Sequence, residues 1–397
     1  MGRGLAVGVC ACVLALAAAS GCGGSSASST GAGLPTGETL PDGGNGVPMR
    51  TRVGATEHEL DLVGPREYAP AGVVAPFRAA TGCDVQVTPA ASSRELLEMF
   101  RTGGYDGVVA PSEVSARLIA SHDVAPIDTS LIPDFDDLSA KLQSPQANTL
   151  DGVHYGISYL WGANPLLYRT DLVTPAPQSW DVVFDGVSYP GRVTAPDTPM
   201  YIADAALYLK SAQPSLDISD PYELTRPQFD AAVQLLQQQR AQISSYWSSS
   251  AGLVRDFTTG AVVLGQAGEQ PYGSLETAGV PVATVVPDEG VTGWIESWMM
   301  SSQALHPDCM LKWMAYTATP IVQAAVAHST DSAPANPAAC AVLDRAPAGY
   351  CSTQPGTEPS YLDSVSFAKA PLTTCDNGKS ECVGYPEWVR AWESIAG

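Results

Sequence analysis

The stretch TGWIESWMM, Thr292 to Met300, sets Trp294 and Glu296 two residues apart in an otherwise apolar run. In an extended strand, residues i and i+2 point to the same side, so an indole and a carboxylate would share one wall while Ile295 faces the other way. The face of an indole attracts a cation through its ring quadrupole. A carboxylate accepts hydrogen bonds from an ammonium group and gains further from the opposite charge. The pair is therefore suited to holding a small organic cation.

Patterns for other chemistries are missing. No GxSxG nucleophile elbow is present, and HELDL, starting at His58, lacks the second histidine of a zinc-protease HExxH motif. The five histidines, His58, His122, His154, His306 and His328, share no spacing. The acidic run PDFDDL, with Asp134, Asp136 and Asp137, lacks the central glycine and terminal glutamate of a calcium loop. Neither GxxxxGK[ST] nor GxGxxG occurs, so no nucleotide site is indicated. The expectation is a binding protein with no enzymatic activity, cofactor or metal.

The opening MGRGLAVGVCACVLALAAASGC carries Arg3, an apolar run from Leu5 to Ala19 and small residues before Cys22, the pattern of a secretory signal over residues 1–21. Ala19-Ser20-Gly21-Cys22 is similar to a lipoprotein lipobox, with Cys22 as the lipidated residue and membrane anchor. Residues 22–50, rich in Gly, Ser, Thr and Pro, read as a flexible tether, with folded structure starting near Thr51. The formal charge is −21; removal of the leader takes away only Arg3, leaving 19 basic against 41 acidic residues, or −22. Such a field repels nucleic acid and favours cationic partners. Beyond the leader and Cys22, the cysteines are Cys83, Cys309, Cys340, Cys351, Cys375 and Cys382. In an oxidising compartment six cysteines suggest three disulfides. Short separations favour Cys340 with Cys351 and Cys375 with Cys382, which leaves Cys83 with Cys309.

Strand-like and helical segments alternate along the chain. DVQVTP precedes SSRELLEMFRTGG, where Ser92 and Glu95 form a capping-box pattern, Leu96, Leu97 and Phe100 an apolar face, and Gly103-Gly104 a stop. YDGVVAP then completes a βαβ unit. Further alternation through PMYIADAALYLKS, PQFDAAVQLLQQQRAQIS, GAVVLGQ and PVATVVP argues for an α/β architecture with helices on both sheet faces. After Cys340 the composition predicts irregular structure pinned by disulfides until PEWVRAWESIAG closes as a short helix.

The segments YDGVVAPSEVSARLIASHDVAPIDTSLIPDF, YLWGANPLLYRTDLV, FTTGAVVLGQAGEQPYGSLETAGVPVATVVPDEGVTGWIESWMM and PANPAAC resemble, in order and spacing, those of the spermidine/putrescine-binding proteins of ABC importers. The resemblance covers roughly residues 55 to 345. It implies a type II periplasmic-binding-protein-like fold: two α/β lobes joined by crossing strands, with a ligand cleft between them. The crossings would fall near Trp161 and Trp294, giving a first lobe of residues 51–161 plus 294–397 and a second lobe of residues 162–293.

By the same resemblance Trp294 and Glu296 stand where an aromatic and an acid meet the ligand amine, with Glu in place of the more familiar Asp. Tyr68 in PREY and Ser112 with Glu113 in APSEV fall at binding-loop positions, although Pro65 and Val114 replace aromatic residues there. Asp197 aligns with a second-lobe carboxylate and Tyr201 with a further acid. Glu269 adjoins Gly268 where a tryptophan is usual, and Ser332 takes the place of a late tyrosine. Keeping acids while losing aromatics preserves the grip on ammonium ends more than that on methylene segments. The implied role is a monomeric, lipid-anchored receptor that passes a small organic cation, a polyamine first, to a membrane permease. The alternatives are a receptor of the same fold for a quaternary amine, phosphonate or iron, an exported hydrolase, and an adhesive lipoprotein.

Overall fold

The computed structural model describes residues 47–397 apart from 91, 185–186, 345–350, 352–358 and 376–380. The expected leader, the lipobox with Cys22 and nearly all of the tether lie outside the described residues. Ordered pairing begins slightly ahead of Thr51: Arg50 bridges to Ile127 and its guanidinium meets Asp308 at 2.7 Å.

Two sheets form the framework. The first contains β1 (Glu59–Val63), β2 (Asp84–Thr88), β3 (Gly107–Pro111), β4 (Gly156–Ala163), β10 (Val291–Met300), β11 (Ala333–Pro334) and β12 (Val365–Phe367). Its order is β11-β4-β10-β3-β1-β2, with β12 beside the start of β10. The second contains β5 (Leu166–Arg169), β6 (Val193–Pro196), β7 (Ile243–Trp247), β8 (Leu264–Gln266) and β9 (Val282–Val285), ordered β9-β5-β8-β6-β7. Helices cover these sheets, among them α1 (Ala71–Thr81), α2 (Ser93–Thr102), α3 (Ser112–Ala120), α4 (Tyr201–Ala212), α5 (Arg226–Gln239), α6 (Ser250–Thr259), α7 (Glu269–Thr277), α8 (Pro307–Thr317), α9 (Pro320–Thr330) and α10 (Tyr385–Ala396). The molecule has the two-lobed α/β fold implied by the sequence.

Local chemistry explains the elements that carry the cleft. Ser92 accepts from the Glu95 amide at 3.2 Å, satisfying an orphan donor at the start of α2, and Gly103 follows its last turn. Strand β10 is ten residues long and buried along almost its whole length, because β4 and β3 flank it on both edges. The chain leaves the first sheet after Ala163, crosses at Asn164-Pro165 into β5, and returns from Val285 to Val291. Asn164 ties the two crossings together, donating its amide to the Thr292 carbonyl at 2.8 Å and its Nδ2 to Thr292 Oγ1 at 3.0 Å.

Three disulfides, Cys83–Cys309, Cys340–Cys351 and Cys375–Cys382, match the pairing favoured by spacing. The tail departs from expectation in two ways. Residues 365–367 form β12, a parallel neighbour of β10 that composition does not reveal. Residues 294–397 also do not all remain with the first lobe, since α10 is seated on the second. Its stripe of Trp388, Trp392 and Ile395 is buried, with Trp388 5.8 Å from the Phe229 ring of α5 and Trp392 6.0 Å from Tyr201 of α4. Burying large apolar side chains contributes roughly 1.5–3 kcal/mol each, and the second lobe offers the aromatic surface that this stripe needs.

Candidate functional site

Between the lobes lies a cleft of about 450 Å³. On the β10 side, Thr292, Trp294 and Glu296 all line it, as alternation along a strand requires. The indole of Trp294 rests across Gly162, its partner in the antiparallel register; a Cβ at Gly162 would lie 2.5 Å from the indole Cζ2. Only glycine permits that approach, so the ring's position is set by β4.

Glu296 is 9% exposed, and its Oε2 has no hydrogen-bond partner. Burial raises its carboxyl well above the usual range, with the neighbouring charges of Glu113 and Glu67 adding to the effect. Glu113, in the first turn of α3, lines the same wall and accepts from Ser93 Oγ at 2.9 Å. Its carboxyl is also raised, chiefly by burial, while its backbone hydrogen bond, Ser93 and Arg117 pull the other way. The second lobe contributes Asp204 from α4, 4% exposed. Asp204 Oδ1 accepts from Thr292 Oγ1 at 2.7 Å and from Gln266 Nε2. Burial pushes this carboxyl up to about 7 against the opposing effect of those two bonds. Tyr201, Tyr222 and Trp247 supply aromatic wall, and the lining residues described include no Arg, Lys or His. Three acids in a lining whose described residues include no base can neutralise a bound cation or, in its absence, hold protons.

The cleft gathers some of the residues expected from sequence and leaves others aside. Trp294, Glu296, Glu113 and Tyr201 line it. The Tyr201 hydroxyl is fully buried and accepts from Gln239 Nε2 at 3.0 Å, so this residue offers a ring wall and no free polar group. Tyr68 is half-buried and not a lining residue, but it lies near enough for Glu296 to add to the burial that raises its phenol. Ser112 is buried behind the wall, where its Oγ accepts from the Ile295 amide at 2.9 Å and is 3.1 Å from the Ile295 carbonyl. It braces β10 against α3. Asp197 is exposed and turned away: its Oδ1 accepts from Trp392 Nε1 at 2.9 Å, although both chain neighbours, Pro196 and Thr198, line the cleft. Ser332 is buried where α9 ends, its amide bonded to the Ala327 carbonyl at 3.0 Å. Glu269 opens α7, and its side chain lies outside the described residues.

Sequence reasoning missed Asp204, Gln266, Tyr222 and Trp247. A signal for Asp204 exists: it is the lone acid of YIADAALYL, and an unneutralised carboxylate inside a helix apolar on all sides needs a special reason to be there. Outside the cleft, Asp61, Asp106 and His306 approach one another. Asp106 accepts from the His306 amide, His306 Nδ1 and the Asp61 amide at 2.8, 2.8 and 2.9 Å, contacts that account for the cluster as a brace at the start of α8.

A family model described as bacterial extracellular solute-binding protein matches residues 72–347. The chain belongs to this family. The family is one of transport receptors that hold a small solute, which agrees with a cleft between lobes as the functional centre. The putrescine/agmatine-binding protein of Pseudomonas aeruginosa is 26% identical over 264 residues, spanning 62% of this chain and 69% of the relative. The putrescine-binding periplasmic protein SpuD of the same species is 25% identical over 319 residues, spanning 74% and 82%. Among solved structures, a spermidine/putrescine ABC transporter substrate-binding protein from Streptococcus pneumoniae superposes with a TM-score of 0.66 at 16% identity, covering 86% of this chain and all of that one. That likeness bears on the fold. The family match stops at residue 347, so β12 and α10 of this solute-binding protein lie beyond it.

Proposed function

We propose that this solute-binding protein captures a small organic cation, a polyamine such as spermidine or putrescine first, and delivers it to the permease of an ABC importer. The reading rests on one observation: Glu113, Asp204 and Glu296 line a single interlobe cleft in which no described lining residue carries positive charge. Glu296 and Glu113 would receive one ammonium group beside the Trp294 indole, and Asp204 a second from the opposite lobe. Each hydrogen bond to a charged group contributes roughly 1.5–3 kcal/mol, and the indole about 0.5–2 kcal/mol more. The names of the two Pseudomonas relatives support the same ligand class. We further propose that the protein acts as a monomer at the outer face of the cytoplasmic membrane, held there by a lipid on Cys22 and the tether.

The test is a thermal-shift and calorimetric screen of spermidine, putrescine, choline and glycine betaine on the protein from residue 23 onward. A ligand that binds only the folded state raises the melting temperature by mass action, whatever its identity. Stabilisation by the polyamines ahead of betaine is the expected result. No response to any amine from a folded sample would remove the proposal.

A further inference from the structure

The C-terminal tail reaches both lobes. Strand β12 pairs with β10 in the first, the Ala368 amide bonds to the Gly293 carbonyl at 2.8 Å, and the Val383 amide bonds to the Leu224 carbonyl of the second at 2.8 Å. Helix α10 then brings Trp392, 5% exposed, behind the second-lobe wall of the cleft. Its ring stands edge-on to Tyr201 at 6.0 Å and to Tyr246 at 5.0 Å. Its Nε1 donates to Asp197 Oδ1 at 2.9 Å.

Asp197 sits directly after β6, beside the cleft-lining Pro196 and Thr198, with its amide fixed to the Trp247 carbonyl at 2.8 Å. The ends of parallel strands are where open α/β sheets place ligands. An exposed carboxylate at that point would ordinarily face the solute. Here the backbone is at the rim, but the side chain is committed to the indole of a helix outside the family match.

We infer that Trp392 is a positioning residue of the ligand cleft: by holding Asp197 out of it, the tail leaves Asp204 as the second-lobe carboxylate among the described lining residues and sets how much positive charge the cleft accepts. This inference rests on the cation-receptor reading above. Releasing Asp197 adds a fourth acid at the rim of a cleft that otherwise presents Glu113, Asp204 and Glu296. More acid at the rim favours a ligand carrying more charges over one carrying fewer.

The test compares calorimetric affinities for spermidine and putrescine at fixed low salt. Trp392→Phe keeps a ring against Tyr201 and Tyr246 but removes the N–H. The affinity ratio of spermidine to putrescine should then shift toward the triamine by about fivefold, the scale of one exposed ionic contact. In Trp392→Phe/Asp197→Asn the ratio should return to the starting value, a reversal that loss of packing cannot produce. Asp197→Asn alone leaves the core untouched and should change the ratio less than about twofold. An unchanged ratio in Trp392→Phe, a shift that persists in the double variant, or a large shift in Asp197→Asn alone overturns the inference while leaving amine binding in place. If the starting protein binds neither amine, the receptor reading fails and the inference with it.

Discussion

Glu296 and Asp204 have an energetic problem whenever the cleft lacks a cation, because desolvation disfavours their charged forms. Their carboxyls are raised in the folded state relative to the unfolded chain, so the folded state binds more protons over the intervening pH range. By linkage, their contribution to stability is fully present below the unfolded carboxyl value and is lost as pH rises through the folded one. For Asp204 that window runs from its ordinary value near 3.8 up to about 7. Ligand-free protein should therefore lose stability across this window, as read by chemical denaturation at pH 5 and pH 8, and Asp204→Asn should flatten part of that slope. A slope identical in the variant would show that Asp204 is charged at no cost. Amine affinity should move the opposite way, tightening with rising pH as protons leave the site. Glu296→Gln should weaken polyamine binding at pH 7.5 by at least about tenfold, on the scale of one hydrogen bond to a charged group, with a smaller effect at pH 5.

At the scale of elements, β10 is the part of the site most legible from sequence and α4 the least. The i, i+2 spacing of Trp294 and Glu296 has meaning only in a strand, and the strand is there with both residues on the cleft wall. Asp197 and Tyr201 align by resemblance with second-lobe ligand positions, but side-chain commitments decide their orientation: one accepts from Trp392 and the other from Gln239. Those partners are 195 and 38 residues distant in sequence, beyond what local pattern can register. Two disulfide pairs are readable because short loops close easily and the third, Cys83 with Cys309, is what they leave, whereas β12 is hidden in a stretch of unremarkable composition. Gly162 shows how an element fixes a functional group. Gly162→Ala would put a methyl group 2.5 Å from the Trp294 indole, a contact that rigid ring atoms cannot absorb. The expected outcome is a loss of about 1–3 kcal/mol in stability together with altered Trp294 fluorescence and weaker amine binding. Normal affinity in a folded Gly162→Ala protein would mean that the indole's placement does not matter to the ligand.

Across the whole molecule, the lobes are joined by two strand crossings and by the tail, and Lys369, just after β12, ties the tail to both lobes. Its ammonium meets Gln146 Oε1 of the first lobe at 2.6 Å and, in the second lobe, Asp220 Oδ2 at 3.0 Å and the carboxylate of Glu223. The residue is 7% exposed, so its charge has given up most of its hydration and depends on those acids. Replacing it with methionine keeps the stem but leaves Asp220 and Glu223 facing each other without a cation. Breaking a buried pair in this way costs about 3–5 kcal/mol, reduced here because Asp220 retains 31% exposure of its side chain. Lys369→Met should therefore destabilise the protein by about 2–3 kcal/mol. It should also render the segment between β12 and α10 more sensitive to limited proteolysis than the starting protein, while both lobes remain folded. The proteolysis pattern separates this from a general loss of stability, because a cut confined to the tail reports its release from the lobes. Asp220→Asn/Glu223→Gln in the Lys369→Met background should recover much of the lost stability, since no unpaired charge then remains. If Lys369→Met alone leaves denaturation and the cleavage pattern unchanged, the tail is held by α10 and β12 without it, and the lysine is dispensable to the link between the lobes.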